Sequence, residues 1–330
     1  MQIYRSLSEL PTPFGPTVAT IGNFDGVHRG HQLVIGKVIR RARELNARSL
    51  AITFDPHPVR LLRPDASLPL ITPLPEKLEL LAATGIDATL VLPFTPELSH
   101  TTARDFATRI LRDKLGVIEL HEGENFRFGY QAEGGIDTLT TLGHELGFHV
   151  SAYAPCVIRG AAVSSSRIRQ LISDGDVRHA RALLGRPFAI LSSPAPGRGY
   201  GTRYTVPTIN LAPYTEVVPA IGVYITTLTI AGETFEAVTN VGNRPTFGAD
   251  SFTIESHLLN FHSIELTQST PLTLAFLQRL RNEIRWPSPD ALREQIGRDV
   301  SRAQRYFTLC RLLTSPPQAS SSLRPAPSPR

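Results

Sequence analysis

The chain has 330 residues, 41% hydrophobic and 19% charged, which is ordinary globular composition and long enough for two domains with sizeable cores. It has no apolar run near the ~20 residues of a membrane helix, no signal-peptide layout in residues 1–10, and only two cysteines, Cys156 and Cys310, so a soluble cytoplasmic protein with reduced thiols is expected. The net charge of +5 raises nucleic acid as a ligand, but no basic run exceeds Arg40-Arg41 and no basic patch is interleaved with aromatic residues, so the excess points to small anionic substrates.

Residues 18–21, Val-Ala-Thr-Ile, read as a buried parallel strand. Gly22-Asn23-Phe24-Asp25-Gly26-Val27-His28-Arg29-Gly30-His31 follows, turn chemistry first. A helical pattern then starts, with Val34, Val38, Ala42 and Leu45 at steps of three and four. His28 and His31 thus fall at a strand–loop–helix junction, where a helix starting nearby puts both rings on one face. Unpaired N–H groups at that helix start suit phosphate oxygens. Gly22, Gly26 and Gly30 let backbone approach a ligand with no Cβ in the way. Imidazoles donate hydrogen bonds to charge growing on a phosphate. The P-loop pattern GxxxxGK[ST] is absent, so nucleotidyl transfer is favoured over a Walker-type site.

The alternation continues. Strands are expected at 49–54, 87–92, 117–121 and 149–154, and helices near 75–83, 102–115 and 136–146, with Gly85 and Gly116 at C-cap positions. The rhythm predicts an open parallel sheet with helices on both faces, binding ligands beyond the strand C-termini. Phe54-Asp55-Pro56-His57-Pro58 ends one strand; its prolines fix the loop, so His57 reads as structural. Gly123-Glu124-Asn125-Phe126-Arg127-Phe128-Gly129 reads as a glycine-bounded turn with Asn125 as its polar position. In Ser164-Ser165-Ser166-Arg167-Ile168-Arg169, Ser166 or a neighbour caps a helix carrying Arg169, Leu171 and Ile172. That segment is either a second phosphate clamp or an ordinary capped helix with exposed arginines.

From about residue 188 short β-prone runs replace the alternation, at 205–211, 222–230, 234–241, 253–261 and 272–280. They predict a small antiparallel barrel closed by a helix over 288–313, with Ser288 as N-cap and Pro289 at the first position. Alternation puts Thr253, Glu255 and His257 on one face of their strand and Phe252, Ile254 and Leu258 on the other. The Ser/Pro/Ala-rich end is expected to be disordered. The expected division is 1–186, 187–313 and a tail, 314–330.

These motifs resemble, in order and over both halves, the bacterial bifunctional riboflavin kinase/FMN adenylyltransferase (FAD synthetase) family. The first half matches through the His28/His31 stretch, Phe54 to Pro58, Gly123 to Gly129 and Ser164 to Arg169, continuing into Gly175-Asp176-Val177 and Leu183-Leu184-Gly185-Arg186-Pro187-Phe188. The second matches at Pro207-Thr208-Ile209-Asn210, Gly222-Val223-Tyr224, Asn240-Val241-Gly242-Asn243-Arg244-Pro245-Thr246 and Glu255-Ser256-His257-Leu258-Leu259-Asn260-Phe261.

The resemblance implies a Rossmann-like nucleotidyltransferase domain and a β-barrel kinase domain. The barrel would phosphorylate riboflavin to FMN, and the first domain would adenylylate FMN to FAD, with ATP as co-substrate and Mg²⁺ as cofactor. It implies catalytic roles for His28, His31, Ser164, Ser165, Ser166, Arg169 and Glu255. It places Gly22, Asn23, Phe24, Asp25, Gly26, Gly30, Arg167, Gly197, Gly199 and Gly201 on ATP, and Asn125, Phe126 and Arg127 on the flavin. Thr208 and Asn210 would hold Mg²⁺. The implied partners are riboflavin, FMN and ATP, without nucleic acid or membrane, in a monomer or weak homo-oligomer. Two departures stand out: Thr205-Val206 replaces the Gly-Phe before the Pro-Thr-x-Asn segment, and the glycines of loop 192–203 are shifted. They leave an alternative in which only adenylyl transfer operates and the kinase module is weak or silent.

Overall fold

The computed structural model describes residues 1–66, 68–195, 208–244, 251–262, 264, 266–284 and 286–314. In the first half, strands β1 (Gln2–Tyr4), β2 (Thr17–Ile21), β3 (Arg48–Asp55), β4 (Ala88–Pro93), β5 (Val117–Gly123) and β6 (His149–Tyr153) form one sheet in the order β1-β4-β3-β2-β5-β6. Every pairing in it is parallel. All five residues of β2 are buried, as an apolar central strand covered on both faces must be.

Helices α1 (Arg29–Glu44), α2 (Pro58–Leu62), α3 (Leu74–Ala82), α4 (Pro96–Ser99), α5 (Ala103–Asp105) and α6 (Ile136–Leu146) connect these strands. On one face, Ile35, Val38 and Ala42 of α1 and Leu81 of α3 pack with Val18, Ala51 and the loop residues Phe24 and Val27. On the other, Ala19, Ile21, Leu50 and Leu120 meet Leu139 and Leu142 of α6. The helix expected over 102–115 is α-helical only in α5; Phe106–Lys114 continues as a π-helix, with Leu115 N–H donating to Ile110 O at 3.0 Å. The wider winding still turns Phe106, Ala107, Ile110 and Leu111 to the core. From β2 the chain runs outward to β3 and β4, then returns to β5 on the other side. The crevice at such a reversal, beyond the C-terminal ends of β2 and β5, is where open α/β sheets bind ligands.

A two-stranded hairpin, β7 (Val157–Ile158) and β8 (Ala161–Ala162), leads to α7 (Ser165–Ser173) and α8 (Val177–Leu184). The second half is a curled antiparallel sheet of β9 (Phe188–Ser192), β10 (Thr208–Asn210), β11 (Gly222–Ile230), β12 (Glu233–Arg244), β13 (Ser251–Leu258) and β14 (Leu272–Arg281), ordered β10-β13-β12-β11-β14-β9. It closes where Ala195 N–H donates to Asn210 O and Ala212 N–H to Ser193 O, both at 2.8 Å. The last helix, α9 (Pro289–Thr314), lays Ala303 and Phe307 on Val223, Ile225 and Val238. Ser288 Oγ accepts the Ala291 N–H at 3.2 Å, as an N-cap does.

Two short strands lie where none was expected: the edge strand β1, too short to carry a pattern, and β9 at the start of the second half. Phe252, expected beside Ile254 and Leu258, is 36% exposed near the start of β13, where Ser256 instead joins the buried face. Residues 315–330 of the expected tail lie outside the described residues.

The two halves share one core. Ile168 and Ile172 of α7 and Ala180 and Leu184 of α8 pack with Tyr224, Leu274 and Phe276 inside the barrel. Glu216, on the connection before β11, accepts from Arg60 of α2 at 2.6 Å and from Leu70 N–H at 2.5 Å, and Val217 N–H donates to Leu70 O at 3.1 Å. Phe276 is fully buried against Phe188 and Tyr224. Phe276→Ala is expected to cost about 3–5 kcal/mol, read as a lower urea midpoint; a loss below about 1 kcal/mol contradicts this packing.

Candidate active site

Beyond Ile21 the chain runs through seven residues before α1. Phe24 (φ 47°) and Val27 (φ 36°) are left-handed without being glycine, and Gly26 between them has φ 86°. Such residues cost of order 1–3 kcal/mol each and persist only where the surroundings fix them. Asp25, 1% exposed, supplies much of that fixation. Its Oδ1 accepts the N–H groups of Ile71 (2.9 Å) and Thr72 (3.0 Å), and its Oδ2 accepts from Arg169 at 2.8 Å. Gly26 N–H donates to Thr72 Oγ1 and Gly26 O accepts from Arg186, each at 2.9 Å.

His28 is the N-cap of α1, its Nδ1 accepting the His31 N–H at 3.3 Å. In the neutral ring the proton then sits on Nε2. The two rings stack with centroids 3.6 Å apart, and Phe24 meets His31 edge-on at 5.2 Å. Gly30 makes the stack possible, since a Cβ there would lie 3.2 Å from the His28 ring. Burial lowers His28 to about 4, although a backbone hydrogen bond and Asp25 oppose it. Burial, then His28 and Lys77, hold His31 well below the usual imidazole range. Both rings are therefore neutral near pH 7, and His31 Nδ1 is buried without a partner among the described residues. A buried orphan polar atom calls for a ligand or water partner.

The serine–arginine segment reaches the same loop. Ser164, not Ser166, caps α7, accepting the Arg167 N–H at 3.3 Å. Ser165 Oγ donates to Asp25 O at 2.8 Å. Arg169 donates to Asp25 and, through Nε, to Pro69 O at 2.8 Å. Ser164, Ser166 and Arg167 are exposed. The two segments thus meet, but Arg169 is committed to Asp25 rather than left open as a clamp.

Asn125 and Arg127 are exposed at the end of β5, on the same sheet edge. Phe126 between them is half-buried and stacks on Phe128 at 5.6 Å. Gly22 and Asn23 begin the β2 loop and are likewise half-buried.

Two groups that the sequence reading left out of the site belong near it. His57 caps α2 through Nδ1, which accepts the Val59 N–H at 3.2 Å, and burial lowers it to about 4 within the field of Asp25, Lys77 and Arg169. Lys77 on α3 is 3% exposed. Glu76 and Lys77 are both buried, and Lys77, four positions before Leu81, shares that residue's face of α3.

In the barrel, Asn210 pairs directly with Glu255 and Glu255 with Asn240, while Thr208 lies opposite His257. Glu255 and Asn210 are half-buried and Thr208 exposed, on the outer side of a strand whose Ile254, Ser256 and Leu258 point inward. Gly197, Gly199 and Gly201, with Thr205-Val206 and Pro207, lie outside the described residues. No group of three or more His, Cys, Asp or Glu suited to a metal ion occurs among the described residues.

A family model described as FAD synthetase matches residues 11–167, and one described as riboflavin kinase matches residues 184–307. The chain is 36% identical over 305 residues to a bifunctional riboflavin kinase/FMN adenylyltransferase from Pseudomonas fluorescens, covering 92% of this chain and 97% of that protein. It is 33% identical over 311 residues to the protein of the same name from Escherichia coli (strain K12), covering 94% and 99%. The crystal structure of a macrolide-efflux protein from Streptococcus pneumoniae is similar, with a TM-score of 0.82 at 25% identity, covering 92% of this chain and 98% of that one. Among the described residues of this chain no helix is long and apolar enough to cross a membrane.

Asp25→Ala leaves Arg169 and two N–H groups unpaired and is expected to cost about 3–5 kcal/mol in urea unfolding; a loss under about 1 kcal/mol contradicts the stitched loop. For His28 and His57 the folded value, about 4, lies below the ordinary imidazole value of 6.5, so their contribution is full above pH 6.5 and is lost as pH falls toward 4. Glu76 acts oppositely: burial raises it from 4.5 to about 7, so its contribution is full below 4.5 and is lost as pH rises through 7. His57→Asn is expected to remove on the order of 1–2 kcal/mol of the stability loss between about pH 6.5 and 5; an unchanged stability–pH profile contradicts the neutral buried ring.

Proposed function

The chain belongs to the bifunctional riboflavin kinase/FMN adenylyltransferase family, and from that premise we propose which of its residues carry each of the two reactions. In the first, the γ-phosphoryl group of ATP passes to the riboflavin 5′-hydroxyl, giving FMN. In the second, an FMN phosphate oxygen bonds to the α-phosphorus of ATP and the bond to the β-phosphate breaks, giving FAD and pyrophosphate. The match to riboflavin kinase over residues 184–307 favours both reactions over adenylyl transfer alone.

Adenylyl transfer takes place in the crevice beyond β2 and β5. Positioning and charge stabilisation suffice, and no protein nucleophile is needed. His28, through Nε2–H, and His31 donate to α-phosphate oxygens, while Gly22, Asn23, Phe24, Gly26 and Gly30 let the backbone line the nucleotide. Ser164, Ser166 and Arg167 face the triphosphate from the start of α7. Ser165 and Arg169 act as positioning residues by holding Asp25. Asn125, Phe126 and Arg127 take the flavin at the end of β5. The observation that carries this reading is the pair of bonds from Ser165 and Arg169 to Asp25, which join segments some 140 positions apart at one crevice.

In the barrel, Glu255 accepts the 5′-hydroxyl proton. Thr208 and Asn210 hold Mg²⁺ and ATP phosphates, with Gly197, Gly199 and Gly201 in the phosphate loop. Their oxygen donors beside a single carboxylate fit a hard cation that keeps several waters. When bound, the ion neutralises charge on the transferring phosphates. The modules divide as 1–186 and 187–313, in a cytoplasmic monomer or weak homo-oligomer that uses riboflavin, FMN and ATP.

Pure protein incubated with riboflavin, ATP and Mg²⁺ is expected to yield FMN and then FAD by chromatography; the absence of both products overturns the reading. Glu255→Gln is expected to lower FMN formation roughly 10²–10⁴-fold while FAD formation from supplied FMN stays within about two-fold. Parallel loss of both activities contradicts separate sites.

A further inference from the structure

The adenylyl-transfer site, on the reading above, draws its positive charge from few side chains, Arg167 at the start of α7 and Arg186 beside the His28 loop. ATP brings several negative charges, yet burial keeps His28 and His31 neutral. Arg169 is neutralised by the Asp25 carboxylate. Arg186 donates to a backbone carbonyl, Gly26 O, and its charge is felt at His28. Neutral imidazoles contribute hydrogen bonds but no charge, so a further cation beside Arg167 and Arg186 would stabilise the growing charge on the α-phosphate.

Lys77 is placed to supply it. The chain holds only three lysines, Lys37, Lys77 and Lys114, and Lys77 alone is buried. Its ammonium makes no hydrogen bond or ion pair among the described residues. It stands one helical turn before Leu81, on the same face of α3. Leu81 packs with Phe24 and Val27 of the His28 loop. The segment leading into α3 is fastened to that loop by the Ile71 and Thr72 N–H bonds to Asp25. Burial lowers the Lys77 ammonium and Asp25 and Asp55 oppose that, while its charge is felt at His31 and His57, beyond the ends of β2 and β3. Asp55 is exposed at its strand end and Asp25 already holds Arg169, so neither cancels Lys77 as a dedicated partner. An ammonium carried by a mostly buried side chain with no anionic partner is costly, and a bound anion offsets that cost. A compact point charge on a flexible stem also suits a tetrahedral phosphate oxygen.

We propose that Lys77 is a catalytic residue of adenylyl transfer, donating from its ammonium to a non-bridging α-phosphate oxygen of ATP beside the neutral His28/His31 pair. It stays protonated throughout: the bond from the FMN phosphate oxygen to the α-phosphorus forms, the bond to the β-phosphate breaks, and pyrophosphate carries away the electron pair. Lys77 acts on the charge that accumulates between those events.

The test compares wild type, Lys77→Met and Lys77→Arg as full chains. FAD formation from FMN is measured with ATP and with each diastereomer of ATPαS, and riboflavin phosphorylation in the same preparations reports folding. Lys77→Met is expected to lower kcat for FAD formation about 10²–10³-fold, with KM for ATP changed far less and kinase activity kept. The rate ratio between the two ATPαS diastereomers is expected to shift at least about five-fold. FAD formation within about five-fold of wild type, an unchanged diastereomer ratio, or equal loss of both activities overturns the proposal. Should Lys77→Met not fold, the ratio in Lys77→Arg decides by the same criterion. Failure of the wild type to make FAD would instead overturn the functional reading, so the two outcomes are distinguishable.

Discussion

The buried ion pair between Asp25 and Arg169 is the constraint on which the first half of this molecule depends. It links a loop that follows the central strand to a helix 144 positions later. The same carboxylate takes the N–H groups of Ile71 and Thr72, so three chain segments converge on one side chain. Breaking such a pair strands a charge in the interior, whereas exposed ion pairs such as Arg293–Asp290 are worth little. The left-handed backbone at Phe24 and Val27 would relax without it. The consequence is a loop held where His28 caps α1 and its ring stacks on His31.

That fixation extends into the barrel. α7 carries Ser165 and Arg169 toward the crevice on one side and buries Ile168 and Ile172 against barrel residues on the other. The 69–72 segment, which Asp25 and Arg169 both grip, is also bonded through Leu70 to Glu216 and Val217 on the connection leading into β11. The His28 loop and the barrel thus share a frame of packed side chains and backbone hydrogen bonds. Glu76 and Tyr214 lie within that frame as well, and burial pushes the Glu76 carboxyl up to about 7.

Much of this was legible in the sequence because local chemistry and tertiary context agree there. The apolar run into β2, the glycines and the spaced imidazoles mark a strand–loop–helix junction before any contact is known. The Gly222–Ile230 and Leu272–Arg281 strands follow from their β-prone residues and flanking turns. What escaped was set by packing over long separations. Arg169 reads as an open phosphate ligand because nothing local shows that Asp25 is buried opposite it. His57 reads as a rigid turn residue, and its nearness to Lys77 depends on β3 and α3 docking around the same crevice. β1 has three residues, and only its pairing with β4 makes it a strand. The conformation of 106–114 is likewise hidden, since its apolar spacing suits an α-helix almost as well.

The account stands on the nucleotide lying between the starts of α1 and α7. Its most direct test is a crystal structure with a non-cleavable ATP analogue and FMN. The expected result puts the α-phosphate within about 3.2 Å of His28 Nε2, with the β- and γ-phosphates beside Ser166 and Arg167. Nucleotide bound at the opposite, N-terminal edge of the strands, or a crevice left without it while only the barrel is filled, would contradict the account.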